Sequence, residues 1–266
     1  MDDDIASRYY ETLLSGYLRT APTMTTEEAV ARFVAPVRSA FVDDQAAEST
    51  IEAMLWAAWY QVVLAARTSS GISQEKIVDL LTGIRNLGVL SRDQGRHRCE
   101  IWGGLKVFVD LPCFGAEMRE EWNIGSDAPG SPDTWANMNA FAARLTAADI
   151  DFSLYAIWTL RDCLEEESPV ISADLRAAVP WFQHCSALLA NLARRRRAFR
   201  QGNRGPARLG KLCTDGGMTE GGFTIERWEF WRSRLAGLAT GTDPTAQVAR
   251  AALQYMTALD GRVGQP

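Results

Sequence analysis

Residues Trp135–Glu166 read WANMNAFAARLTAADIDFSLYAIWTLRDCLEE. Apolar side chains recur at helical spacing on either side of Ala148–Asp151. The stretch therefore predicts two consecutive helices with a break at 148–151. Asn137, Asn139, Arg144, Tyr155 and Arg161 are set among its Trp, Phe and Leu residues. Polar groups in such company are either hydrogen-bonded inside a core or line a cavity. The residues leave both readings open.

The helical period continues in both directions. Ile5, Tyr9, Leu13 and Tyr17 form the stripe of a first helix. Thr25, Thr26 and Glu28 have the spacing of a capping box. They open a second helix with the stripe Val30, Val34, Val37 and Phe41 and a bend at Pro36. A third helix, about Ala46–Arg67, carries Ile51, Leu55, Ala58 and Val62 on one face and Trp56, Trp59, Tyr60 and Val63 on others. A helix apolar all round is buried on several sides, so this one is expected to be central. Ser73 is expected to cap a fourth helix that runs through Leu87 and ends at Gly88.

Residues 91–104 form a polar connection. Leu105–Pro112 alternates like a strand, but a lone strand is rarely stable. Helix or extended loop is therefore expected there. Phe114–Trp122 reads as a helix and 123–132 as a loop. A long helix starts at Ser172 or Asp174 and runs to about Phe199. Residues 200–222 are rich in Gly and read as a mobile loop. Thr224–Thr240 and Pro244–Leu259 give two closing helices, with Pro244 in the first turn after Asp243. The fold expected is one all-α domain over 1–266, an irregular bundle of about eight to ten helices.

Composition sets wide bounds. The chain has 266 residues, 47% of them apolar, which is enough for a full core. A formal net charge of −5 argues against nucleic acid as the main partner. The uncharged run Ala53–Ala66 is too short to span a bilayer. The acidic start MDDDIASRYY is neither a secretory signal nor a transit peptide. A cytosolic location is therefore expected. Cys99, Cys113, Cys163, Cys185 and Cys213 are odd in number and widely spaced, against a disulfide framework. With His97 and His184 as the only histidines, a structural metal site is not expected. No strand–Gly-loop–helix unit, G-x-x-x-x-G-K-[ST], H-E-x-x-H or G-x-S-x-G occurs, so no nucleotide or inorganic cofactor is implied.

Four segments carry a family resemblance. They are Asp110-Leu111-Pro112 with Phe114-Gly115 and Met118 to Asn123; Trp135 with Asn137 to Leu145; Asp151-Phe152-Ser153 with Tyr155-Ala156, Trp158, Leu160-Arg161 and Leu164-Glu165; and Gly222-Phe223-Thr224 with Glu226-Arg227-Trp228, Phe230-Trp231 and Arg234. Together they resemble a fungal domain-of-unknown-function family, DUF3632. The resemblance implies an intracellular, all-helical protein, in some members encoded beside specialised-metabolite genes. It supplies no catalytic residues.

Candidate site residues follow from chemistry alone. His184 shares a helix face with Trp181, Leu188 and Asn191. It is a general acid/base in an aromatic pocket or a hydrogen-bonded core histidine. Arg161 is placed to hold a substrate carboxylate or enolate stacked on Trp158, beside Tyr155. The ordinary alternative is an ion pair with Asp151, Asp162 or Glu165. Asn137 and Asn139 cannot share a face, so one points inward as a carbonyl-orienting donor or a core staple. Asp110 is a helix cap or a base. Nine tryptophans fill a core or line an apolar site. Arg194–Arg197, Arg200, Arg204, Arg208 and Lys211 give eight cations without one acid, a solvated helix end or a contact for an acidic partner.

Two functional classes fit. The first is a cofactor-independent isomerase or cyclase acting on an apolar specialised metabolite. His184, Arg161, Tyr155 and Asn137 would be its catalytic groups, and Trp158, Trp181, Asn139 and Asp110 would contact the hydrophobic substrate. The second is a non-catalytic helical protein that binds a ligand or a protein partner, with 194–211 and the Tyr9–Tyr17 helix as the interface.

Overall fold

A computed structural model describes residues 3–19, 21, 24–125 and 132–257. Among these the chain is all-α, with eleven helices and four two-residue strands. Its contacts divide it into two compact units, 1–128 and 129–266.

The first unit holds α1 (Asp3–Tyr17), α2 (Thr26–Val42), α3 (Glu48–Thr68), α4 (Ile72–Asn86) and α5 (Phe114–Ile124). Helix α3 packs against the other four, as its all-round apolar surface predicts. Trp59 sits at its centre between Phe33 and Phe114, each ring centroid 5.5 Å away. The Trp59 indole N–H donates to the Pro112 carbonyl at 2.8 Å, the partner a buried indole requires. Val30, Val34, Val37 and Phe41 are all buried on α2. The capping box is present, with Thr25 Oγ1 accepting from Glu28 N and Glu28 Oε2 from Thr25 N. Gly83 lets α4 approach α2 closely, because a Cβ there would lie 2.7 Å from Val30 Cγ2.

Several local readings change. On α1 the buried face is Ala6, Tyr10, Leu13, Leu14 and Tyr17, and Ile5 is 59% exposed. Ser73 lies inside α4, whose N-cap is Gly71. Buried Gln74 instead closes the turn by donating to the Ala66 and Ser69 carbonyls. The region after α4 forms two small antiparallel ladders: β1 (Ser91–Arg92) with β2 (His97–Arg98), and β3 (Glu100–Ile101) with β4 (Leu105–Lys106). Leu105-Lys106 thus pairs with a neighbour, which removes the objection to a lone strand.

The second unit holds α6 (Pro132–Ala147), α7 (Ser153–Leu164), α8 (Ser172–Arg194), α9 (Lys211–Asp215), α10 (Ile225–Leu238) and α11 (Pro244–Thr257). Helix α8 is its hub, packed against α6, α7, α10 and α11. The second unit therefore has a central helix of its own, in addition to the one read at Ala46–Arg67. Helix α8 ends before the expected Phe199, because Arg196 turns left-handed with φ 50°. The break between α6 and α7 falls where expected. Asp149 is left-handed, and Ile150 N donates back to Leu145 O at 2.9 Å. Thr146 ties the turn together, donating to Ala142 O and accepting from Phe152 N. Asp243 caps α11 through Ala246 N, with Pro244 in the first turn as read. Residues 126–131 of the expected loop and 258–259 of the last expected helix lie outside the described residues.

Candidate functional site

Helices α6, α7 and α8 meet at Asn139, which is fully buried. Its Oδ1 accepts from Thr159 Oγ1 at 2.6 Å and from Trp181 Nε1 at 2.8 Å. Its Nδ2 donates to Trp135 O at 3.0 Å. One amide thus staples three helices, and both lone pairs of its oxygen are engaged. Asn139 is the inward member of the pair, and Asn137 is half-buried. Trp181 is fully buried, with its only polar atom held by Asn139.

On either side of Thr159 in α7, Trp158 and Arg161 reach the same atom. Trp158 Nε1 donates to Pro206 O at 2.8 Å and Arg161 Nη1 at 3.4 Å. Arg161 Nε also donates to Asp162 at 2.8 Å, so the arginine pairs with its sequence neighbour. The Tyr155 ring lies 4.6 Å from Trp158 and 5.2 Å from Phe152. Trp158 and Arg161 thus hold Pro206 onto α7.

The strongest polar cluster of the unit is one that sequence reasoning missed. Glu165 and Arg227 form a fully buried ion pair, with Arg227 Nε 2.7 Å and Nη2 3.1 Å from the two carboxylate oxygens. Trp231 Nε1 and Gly210 N complete the carboxylate, each at 2.7 Å. The remaining guanidinium protons go to the carbonyls of Ala207, Gly222 and Arg208. Every donor of the guanidinium has a protein acceptor, as burying a charge requires. Gly210 is required here, because a Cβ would meet Glu165 Cβ at 2.5 Å. The cluster ties α7 to α10 through the intervening chain. Its sequence signal was present but unreadable: Glu165 opens a run of three glutamates that looks solvated, and Arg227 lies 62 residues away.

Residues 200–222, read as a loop, contain a short 3-10 turn at Gly202–Arg204 and helix α9, and they bury Ala207, Leu209 and Cys213.

His184 is half-buried on α8. Burial, with the charge of Arg144 adding to it, pushes its pKa down from 6.5 to about 4. The imidazole is therefore neutral at physiological pH. One turn further along the same face, Leu188 lines a cleft of about 520 Å³ with Leu192, Thr146, Asp149, Asp151, Ser153, Arg195 and Arg197. That cleft is lined by none of His184, Arg161, Tyr155 or Asn137, and the same holds for the clefts on α1, on α2, between α1 and α3, and around residues 216–220.

Asp110 belongs to the first unit. Its carboxylate is exposed and accepts from Lys106 N at 2.7 Å. It therefore closes a turn and does not cap α5, whose N-cap is Cys113 with no side-chain bond. No group of three or more potential metal ligands occurs among the described residues.

The arginines after α8 are arranged differently. Arg196 pairs with Glu220 and Glu226, and Lys211 with Asp215 and Glu167. Arg197 lies over the Phe199 ring, 5.4 Å from its centroid. Arg194, Arg195, Arg200, Arg204 and Arg208 are exposed and have no acidic partner among the described residues.

The family profile described as "Protein of unknown function (DUF3632)" matches residues 59–235. The chain belongs to this family. Asn139, Glu165 and Arg227 all lie inside the matched span. No curated protein and no solved structure matches the chain. Among the described residues, no helix is long and apolar enough to cross a membrane.

Proposed function

We propose that this DUF3632 member is a non-catalytic binding protein that docks an acidic protein segment on the arginine face after α8. The observation that carries this reading is the set Arg194, Arg195, Arg200, Arg204 and Arg208, exposed and without counter-ions among the described residues. Arg194 and Arg195 stand at the end of α8, and Arg208 lies on a backbone fixed by Arg227 and by the Trp158 bond to Pro206. Unpaired guanidinium groups favour carboxylates, to which they bind bidentately. A cytosolic setting fits five cysteines that are all free and buried.

The test is affinity purification from the native host of the wild-type chain and an R194Q/R195Q/R200Q/R204Q variant. The expected result is a stoichiometric acidic protein that leaves at raised ionic strength and is lost in the variant. The same co-purifying set with both chains overturns the reading. So does material removed by nuclease.

One observation favours a second reading, a cofactor-independent isomerase or cyclase. His184 is a neutral imidazole one helical turn from Leu188, which lines a cleft with Leu192 and charged residues. A neutral imidazole keeps one ring nitrogen free to accept a proton, which is the group such an isomerisation of a flexible metabolite needs. Comparative metabolite mass spectrometry of hosts carrying wild-type or H184A protein tests it. Loss of one compound with gain of an isomer of equal mass supports the enzyme, and an unchanged profile removes it.

A further inference from the structure

The β3–β4 hairpin of the first unit carries an aromatic side chain at its tip. Its three-residue loop is Trp102-Gly103-Gly104, and all three residues have positive φ, 53°, 77° and 109°. Glycine adopts that region freely, but tryptophan is strained there. The strain is held by Glu48 on α3, whose Oε1 accepts from Trp102 N at 2.9 Å. It does not serve burial, because Trp102 is 44% exposed. Its ring meets the half-buried Trp56 of α3 at 6.0 Å and 55°. Tyr60, one turn further along α3, is 51% exposed. Ile101 is buried and anchors the hairpin below.

Carboxylates accompany this aromatic pair. Glu48 holds Trp102, Glu52 Oε1 accepts from Trp56 Nε1 at 3.3 Å, and Glu100 stands in strand β3. None of the three pairs with a basic side chain among the described residues, and Lys106 across the hairpin forms no ion pair with Glu100. Exposed indole faces beside unneutralised carboxylates attract a cation that is itself only weakly hydrated, the combination met by a guanidinium.

We propose that the Trp56–Trp102 face binds an arginine-bearing peptide segment of a partner protein. A guanidinium lies over the indoles and donates to the free oxygens of Glu48 and Glu52. This site is independent of the arginine face after α8 and has the opposite charge preference.

Isothermal titration of the full chain with hexa-arginine amide tests the proposal, with hexa-citrulline amide as the neutral control of equal shape. Binding to the arginine peptide alone is expected. W102A and E48Q/E52Q should each weaken it about threefold to tenfold. Both glutamines keep a carbonyl for the N–H that each glutamate holds, and unchanged circular dichroism confirms folding. R194Q/R195Q/R200Q/R204Q should leave the affinity unchanged. Equal binding of the citrulline peptide, unaltered affinity in both site variants, or association with neutral phosphatidylcholine vesicles and not with peptide overturns the proposal.

Discussion

The Tyr9 phenol donates to the main-chain carbonyl of Arg32 at 2.7 Å, and Arg32 is the residue four before Pro36. A proline has no N–H, so the carbonyl one turn back loses its helical partner. Tyr9 supplies from α1 the bond that α2 cannot make for itself. Helix α2 therefore continues through Pro36 with that acceptor satisfied.

Tyr9→Phe is expected to destabilise the fold by about 0.5–1 kcal/mol, the low range because water reaches the site. Pro36→Ala restores an N–H to the helix. In that background Tyr9→Phe should cost measurably less. A double-mutant cycle by urea unfolding gives the coupling, and zero coupling would show that the two residues act independently.

Arg227→Met leaves Glu165 buried without its cation and orphans three carbonyls. The expected loss is about 3–5 kcal/mol, read as a lowered urea midpoint. Replacing both residues, Glu165→Leu with Arg227→Met, should not restore wild-type stability. The carbonyls of Ala207, Arg208 and Gly222 would still lack donors. Full recovery in the double variant would mean that the pair matters only to itself.

His184 gives a pH dependence with a definite sign. Its pKa falls from 6.5 to about 4 in the folded chain, first through burial and then through Arg144. Between those values the unfolded chain binds more protons. Stability from this residue is therefore fully present above about pH 6.5 and is lost as pH falls toward about 4. The difference in Tm between wild type and H184Q should shrink as pH falls through that window. The difference isolates the histidine from Asp79, Glu117 and Asp174, whose carboxyls burial pushes upward with the opposite sign. A difference that does not vary with pH would place His184 in solvent.

The cysteines should be chemically silent. Burial pushes Cys99 up to about 11 and Cys113, Cys163 and Cys185 to about 12, and raises Cys213 as well. Thiolate, not thiol, is the nucleophile. Iodoacetamide at pH 8 should add nothing to the native chain while a free thiol control reacts fully. All five should react in urea, counted by intact mass. Rapid modification of the folded chain would contradict their burial.

Much of the fold is legible in the sequence because it follows from periodicity and local chemistry. The Thr25–Glu28 box, the 148–151 break and the Pro244 start each depend on residues within one or two turns. What escaped depends on distance. Ser73 has a capping residue's chemistry, but Gln74 reaches back to close the turn between α3 and α4. Nothing local tells Glu165 from Glu166 and Glu167, although only the first is buried beneath Arg227. Asn139 was readable as inward or outward, and its role as a three-helix staple required knowing that Trp181 and Thr159 converge on it. The site candidates were polar residues in apolar surroundings. That pattern marks structural staples as readily as catalytic groups, because both must be hydrogen-bonded away from water.

Between Pro206 and Gly222 the hydrogen bonds from α7 and α10 fall on peptide groups, above the buried side chains of Ala207, Leu209 and Cys213: Trp158 and Arg161 hold one carbonyl, Arg227 holds three others, and Glu165 holds an amide. Side chains at Arg200, Arg204 and Arg208 have no part in that grip. Such a rail fixes the path of the chain while leaving its outward chemistry free to vary. The charge, size or shape shown at these positions can be rewritten without retuning the scaffold, so a change of partner would require only substitutions at the surface.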